Sequence, residues 1–376
     1  MLYRRFGKTN LPLSVFSLGT MRCLSSFENA CKTVQQAISL GINHLETARG
    51  YGQSEQYLGK ILTEELSVPR EQLYITTKLP PTSDADLMSQ WLEQSLEHLQ
   101  LDYLDCLAIH GINTCEHLAW IESPTGCMQA VQKAIAKGQI RHLGFSTHAP
   151  LDVILAAINT DLFEFVNLHY YYFFQRNIAA VELAHQKDLG VFIISPADKG
   201  GKLYTPSPTL EKLCYPFSPL ELNYRFLLSD RRITTLSVGP ANPTELTVPC
   251  QVADRGGSLT AKEKEILSRL ETQLINSLGK ERCSQCYQCL PCPENINIPE
   301  ILRLRNLAVA YDLTDYGKYR YGMLENAGHW FPGVKGSRCT SCGDCLPRCP
   351  EQLDIPSLLQ DTHQRLAGSP RRRLWE

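Results

Sequence analysis

Eight short apolar runs constrain this chain more than any other feature of it. They fall at Leu13–Thr20, Ile42–Leu45, Leu73–Thr77, Leu104–Ile109, His142–Ser146, Phe163–His169, Val191–Ser195 and Ile233–Val238. Runs this short read as buried strands. Between them lie stretches with apolar residues at helical spacing: Phe27–Leu40, Glu55–Leu66, Asp84–Leu99, Gly126–Lys137, Pro150–Ile158, Ile178–Lys187 and Leu220–Leu228. Alternating strand and helix predicts a parallel sheet, and eight such units predict closure into an α/β, (β/α)8 TIM barrel. An open, doubly wound sheet usually carries a Gly-rich phosphate loop after its first strand. That place holds GTMRCLSS, with no GxGxxG, so the barrel is favoured. The barrel is expected over residues 1–255 and a second domain over 256–376, with Gly256, Gly257 and Ser258 as the linker.

Four polar residues fall at the ends of successive strands. Glu46 and Tyr51 lie in GINHLETARGYGQSEQYLG, Lys78 follows the third run, and His110 follows the fourth. Taken singly, Tyr51 reads as packing, Lys78 as a solvated cation and His110 as a satisfied loop histidine. Their joint placement on one rim of one barrel reads differently, because that rim is where barrel enzymes do chemistry. A tyrosine titrates near ~10, and a neighbouring ammonium is expected to lower that value. A carboxylate fixes the lysine, and a histidine beside the tyrosine orients a carbonyl oxygen. Such a set delivers a proton to a carbonyl that receives a hydride.

The second domain carries a different chemistry. Thr260-Ala261-Lys262-Glu263 predicts a capping box that opens a helix to about Leu278. CSQCYQCLPCP follows, with Cys283, Cys286, Cys289 and Cys292, and after 46 residues comes CTSCGDCLPRCP, with Cys339, Cys342, Cys345 and Cys349. The second run matches the bacterial ferredoxin spacing C-x2-C-x2-C-x3-C-P, and the first is one residue short in its last gap. Three cysteines wrap one cluster while the last, before proline, turns to the other. The spacing therefore pairs Cys283, Cys286, Cys289 and Cys349 on one [4Fe–4S] cluster, and Cys339, Cys342, Cys345 and Cys292 on the other. Structural zinc is the plainer rival for C-x2-C pairs. Ile298-Pro299 and Ile355-Pro356 follow the two Cys-Pro turns at similar distances, a faint internal repeat. Of the fifteen cysteines, the other seven lack ligand spacing, and Cys31 and Cys106 among them are expected in the core. The tail SPRRRLWE reads as a solvated end.

A net charge of −2 gives no case for nucleic acid, and no apolar run approaches the ~18 residues needed to span a membrane. MLYRRFGKTN has no apolar signal core, so a cytoplasmic chain with reduced thiols is expected.

LETARGYGQSEQYLG, YITTK and LDYLDCLAIHG together resemble the aldo-keto reductase superfamily, over roughly residues 1–250. The resemblance implies Tyr51 as proton donor with Lys78 and His110 beside it. The family's aspartate falls on Glu46, and the extra methylene predicts a longer or weaker pairing with Lys78. GFSTH resembles the segment that holds a nicotinamide amide and points to Ser146 and Thr147. VNLHY places Asn167 where many relatives have Gln. For these three the plainer reading is loop capping. Ser195 falls where the family often stacks an aromatic on the nicotinamide. SVGPANPTEL resembles the adenosine-phosphate segment and implicates Gly239; it has no Lys or Arg before Arg255, so NADPH and NADH both stay open.

The cysteine region is similar to helical ferredoxin domains, and the whole chain to aldo-keto reductases with a C-terminal 4Fe–4S domain. The resemblance implies an oxidoreductase that reduces a small carbonyl substrate with NADPH or NADH. Two [4Fe–4S] clusters would move single electrons, with a ferredoxin-like partner. No flavin motif bridges two-electron and one-electron steps. Two rivals stand beside this reading: a plain reductase braced by its clusters, and an electron-transfer or redox-sensing protein whose barrel Glu46 has weakened.

Overall fold

A computed structural model describes residues 1–66 and 68–371. Most of the SPRRRLWE tail lies outside the described residues. The chain divides into two compact units, one of residues 1–200 with 223–258, the other of 201–222 with 259–371.

The first unit is a closed, all-parallel barrel preceded by a hairpin. The hairpin pairs β1 (Tyr3–Arg5) with β2 (Pro12–Ser14). The barrel runs β3 (Phe16–Gly19), β4 (His44–Glu46), β5 (Tyr74–Leu79), β6 (Leu104–His110), β7 (Ile140–Ser146), β8 (Phe165–Leu168), β9 (Gly190–Ile193) and β10 (Thr235–Val238), closed by β10 against β3. Two strands run farther than their apolar runs. Lys78 pairs in register with Ala108, and His110 with Ser146, so both polar residues belong to the sheet rather than to the loops after it.

The hairpin fixes one end of the core. Phe6, fully buried, packs at 5.1 Å from the Phe165 ring in a cluster with Leu13, Cys106, Ala108 and Phe192. Only glycine fits at position 190, where a Cβ would come within 2.2 Å of the Phe6 ring. Burying a phenyl this completely stabilises by roughly 1.5–3 kcal/mol. Deeper in, the barrel carries a polar belt. His44 Nδ1 lies 2.6 Å from Ser17 Oγ, its Nε2 lies 2.7 Å from Thr76 Oγ1, and Ser17 reaches Thr235 at 2.7 Å. Burial, with Lys78 adding to it, pulls the His44 pKa down to about 3, so the ring is neutral.

The flanking helices follow their apolar spacing. Phe27–Ser39 starts on the Ser26 side chain, which accepts from Asn29 N, and buries Ala30, Val34, Ala37 and Ile38. Ala85–Leu99 starts on Asp84 and buries Met88, Leu92, Leu96 and Leu99. Cys106 is in the core, whereas Cys31 is only half-buried. Among the described residues no helix is long and apolar enough to cross a membrane.

The second unit is helical. The Thr260–Glu263 capping box forms and opens helix Ala261–Leu278. Helices Ile298–Tyr311, Thr314–Tyr321 and Ile355–Leu366 follow. The Pro-rich segment read as irregular holds helix Pro208–Cys214 and is tied into this unit: Ser207 Oγ donates to Tyr311 O at 2.6 Å, and Arg269 Nη1 donates to Leu213 O at 3.2 Å.

Candidate functional site

The loop after β4 is pinned before it can reach outward. Thr20 Oγ1 donates to Glu46 O at 3.0 Å, Thr47 Oγ1 donates to Ser54 Oγ at 2.8 Å, and Arg49 N donates to Lys78 O at 3.2 Å. Tyr51 N closes a tight turn onto Ala48 O at 3.0 Å. This places Tyr51 above the ends of β5 and β6. Lys78 Nζ, only 1 % exposed, then sits among Glu46 Oε1 at 2.6 Å, Thr47 O at 2.9 Å and Tyr51 Oη at 3.3 Å. The His110 ring meets the Tyr51 ring edge-on, with centroids 5.8 Å apart. The four residues predicted as a set are therefore brought together.

Two expectations change. The longer Glu46 side chain does not weaken its lysine contact, since 2.6 Å is a short charge-assisted bond. The added methylene also lets the carboxylate accept from Asn167 Nδ2 at 3.3 Å and Ser237 Oγ at 3.4 Å. Nor does the ammonium bring the phenol down. Burial pushes the Tyr51 pKa above its ordinary value, and Lys78 offsets only part of that. Burial pulls on Lys78 in the opposite sense, but Glu46 and Tyr51 outweigh it and hold its pKa up, so it stays an ammonium.

The residues predicted for a cofactor separate into two kinds. Thr147 caps a loop, its hydroxyl donating to Ile112 O at 2.7 Å and accepting from Ala149 N at 3.0 Å. Ser146 Oγ accepts from Gly111 N at 3.1 Å. Ser195 lies past the end of β9 in the left-handed region, with φ of 53°. Asn167 is different. It is fully buried, and its Oδ1 has no partner. A buried acceptor left open costs about 1–3 kcal/mol, so it fits a ligand that brings an N–H, as a nicotinamide carboxamide does. At the other end of the rim, Gly239 O accepts from Arg22 Nη1 at 2.7 Å, and Arg22 pairs with Glu245 at 2.9 Å. Arg22 escaped the sequence reading because it comes from the loop after β3, more than 200 residues away.

The cysteines of the second unit form two four-thiol hollows. One is lined by Cys283, Cys286, Cys289 and Cys349, the other by Cys292, Cys339, Cys342 and Cys345. Each hollow takes its fourth thiol from the other loop. The two loops repeat one backbone path. Left-handed residues stand two and four places after the first cysteine in each: Gln285 (φ 59°) and Tyr287 (φ 62°), Ser341 (φ 57°) and Gly343 (φ 84°). Such turns aim backbone N–H groups inward, as at many iron–sulfur sites, and Gln285 N donates to Cys283 Sγ at 3.4 Å. The match resumes three residues after the last cysteine, at Asn295 (φ 55°) and Gln352 (φ 52°), and both following helices place their Pro in the first turn. The missing residue of the first run is thus absorbed inside one gap. Burial pushes the free Cys283 thiol to about 11 and Cys289 to about 12, so these ligands must shed protons as a metal group enters. Four thiols converging from two loops are the donor set that an iron–sulfur cube takes.

The family profile described as Aldo/keto reductase family matches residues 16–267. The chain belongs to the aldo/keto reductase family. A second profile, the 4Fe-4S dicluster domain, matches residues 282–354. This family member therefore joins the barrel of an oxidoreductase family, whose cofactor is NAD(P)H, to an iron–sulfur domain. Among curated relatives, L-galactose dehydrogenase of Arabidopsis thaliana is 36% identical over 162 residues, covering 40% of this chain and 49% of its own length. L-glyceraldehyde 3-phosphate reductase of Escherichia coli strain K12 is 28% identical over 166 residues, covering 40% and 46%. The chain spans about half the length of the curated relatives it matches. In structure it is similar to the holo form of aldo-keto reductase AKR11C1 from Bacillus halodurans, with a TM-score of 0.62 at 22% identity over 72% of this chain and 96% of that one. At that identity the likeness speaks for the fold.

Proposed function

We propose that this chain is an NAD(P)H-dependent reductase of a small carbonyl compound, with Tyr51 as proton donor and two [4Fe–4S] clusters that carry single electrons to or from a ferredoxin-like partner. One observation carries the barrel half of this reading: a buried lysine stands between a carboxylate at 2.6 Å and a tyrosine hydroxyl at 3.3 Å, on the rim where barrel enzymes react. The bound nicotinamide supplies the hydride. Asn167 Oδ1 would take its carboxamide, and the Gly239 loop would lie along its phosphates. His110 orients the carbonyl oxygen toward Tyr51. The phenol is held protonated by burial and so is loaded as an acid at neutral pH. Lys78 steadies the phenolate that remains once the proton has gone. The crossed cysteine sets support the cluster half, Cys283, Cys286, Cys289 and Cys349 for one cube and Cys339, Cys342, Cys345 and Cys292 for the other.

The test is an anaerobic reconstitution followed by NADPH and NADH oxidation against a panel of aldehydes and ketones, with EPR of the dithionite-reduced protein. Carbonyl-dependent oxidation of either nucleotide, with signals from two reduced clusters, is expected. Absence of turnover across the panel would sink the reductase half, and a zinc-loaded, EPR-silent protein would sink the cluster half.

A further inference from the structure

The two cysteine loops are near-copies, so the places where they differ stand out. The walls of the hollows correspond. Pro299 and Leu302 line the hollow of Cys283, Cys286, Cys289 and Cys349, and Pro356 and Leu359, at matching places in the other helix, line the hollow of Cys292, Cys339, Cys342 and Cys345. Each hollow has one glutamate on its wall, Glu351 on the first and Glu294 on the second. The thiols match in exposure too: Cys286 and Cys342 are exposed, Cys289 and Cys345 buried.

Two places break the match. The residue after the exposed cysteine is Tyr287 in one loop and Gly343 in the other, and each lines its own hollow. Both stand in the left-handed region, at φ of 62° and 84°. Glycine is at ease there, whereas a side chain is strained. Strain kept at one position and absent from its twin points to a use for the ring. The Tyr287 hydroxyl oxygen is buried, so the side chain lies against the protein. A Cβ at Gly343 would meet nothing nearer than Leu346 Cδ1 at 3.9 Å, which leaves that side of the second hollow open. The other break is the residue that the first loop lacks. It is Arg348, on the wall of the second hollow. Its Nε donates to Asp344 O at 2.8 Å, and its Nη2 donates to Pro291 O at 2.9 Å, just before the crossing thiol of Cys292. Backbone carbonyls orient the guanidinium without neutralising it. Asp344 lines this hollow as well, where the first loop has Gln288. Asp344 is exposed and Arg348 half-buried, so water screens the carboxylate more than the cation.

Reduction gives a cube one electron, taken from a one-electron reductant, with no bond or proton exchanged. The cube gains one negative charge. A dry wall resists that charge, and water or a nearby cation favours it. The Gln285 N–H toward Cys283 favours the first hollow, but Ser341 holds the same left-handed place in the second loop, so that turn is common to both. We infer that the two hollows hold an electron unequally: it comes to rest at Cys292, Cys339, Cys342 and Cys345, because Tyr287 keeps water from the other cube and Arg348 adds positive charge at this one. The inference rests on the cluster half of the reading above and gives the pair a direction, toward the Gly343 side.

The test is a potentiometric titration of the full chain, reconstituted anaerobically with iron and sulfide and followed by EPR. Two one-electron steps are expected, about tenfold or more apart in equilibrium constant, which is 59 mV for one electron. Cys342→Ser should alter the signal that appears first, and Cys286→Ser the one that appears second. Tyr287→Gly, which relieves the strained turn, should raise the lower step by a similar factor. Arg348→Met should lower the upper step several-fold and leave the lower one in place. A single shared midpoint, a first signal that responds to Cys286→Ser, or midpoints unmoved by both Tyr287→Gly and Arg348→Met overturns the inference. If Tyr287→Gly does not load both cubes, the wild-type chain decides alone. Poised between the two steps in D2O, its reduced cube should show solvent deuterium couplings, and a cube without them overturns the inference. Iron and sulfide that never bind, with no EPR signal at any potential, bring down the cluster reading and this inference with it, which a shared midpoint does not.

Discussion

The barrel rim and the cysteine loops are sites of opposite construction. The rim draws Glu46, Tyr51, Lys78, His110 and Asn167 from four strands and their loops, with Glu46 and its partner Asn167 121 positions apart. Each side chain there is held by the fold around it. The cysteine loops are the reverse: each writes most of its site within ten or so residues, twice over, and borrows a single thiol from its twin. A site of the first kind stands or falls with the barrel core. A site of the second kind depends on what it binds, because short loops with few buried contacts gain much of their order from the metal group.

Iron removal should produce the largest difference between the two. Chelation under reducing conditions is expected to destabilise the second unit by several kcal/mol, on the scale of structural metal sites, and to leave the barrel transition in place. Urea unfolding followed by circular dichroism, with and without reconstituted iron and sulfide, reads this. A single transition that shifts as a whole would erase the distinction.

Acid should act on the barrel instead. His44 binds no proton in the folded barrel until about pH 3, whereas an unfolded histidine binds one below its ordinary value near 6.5. The unfolded state thus takes up more protons across that window. Barrel stability from this group is complete above about pH 6.5 and falls by up to about 1.4 kcal/mol per pH unit as pH drops toward 3. A His44→Asn variant should lose that part of the slope, which paired denaturant curves at pH 7 and pH 5 would show. Identical pH slopes in the two proteins would remove His44 from the account.

The smallest effect sharpens the reading of the rim itself. Glu46 uses its extra methylene to reach Lys78, Asn167 and Ser237 at once. Glu46→Asp should therefore lower carbonyl turnover, by about tenfold if one charge-assisted bond is lost. A rise in turnover would mean that the glutamate detunes the lysine rather than positions it.

Most of this was legible in the sequence, for physical reasons. The eight barrel strands and the helices between them announce themselves because burial forces apolar spacing on them. The apolar runs end before Lys78 and His110 because both are polar, and only the fold supplies the carboxylate that lets the Lys78 charge stay buried in the sheet. The β1–β2 hairpin and helix Pro208–Cys214 gave no signal of period, the first being too short and the second too rich in proline. The grouping of the cysteines around two hollows was legible because the spacing of each loop leaves its last thiol to face the other. The pairing of His148 with His169, their ring centroids 4.2 Å apart, was not, since two loops must meet before the rings do.

The measurement closest to the centre of the account is single-turnover hydride transfer in Tyr51→Phe. With nucleotide and a carbonyl substrate mixed rapidly, the account predicts a fall of about 10²–10⁴-fold in the rate of nucleotide oxidation, with nucleotide affinity and the iron–sulfur spectrum unchanged. A variant that transfers hydride as fast as the wild-type chain would contradict it, and would take the proton-delivery role from the tyrosine that Lys78 holds.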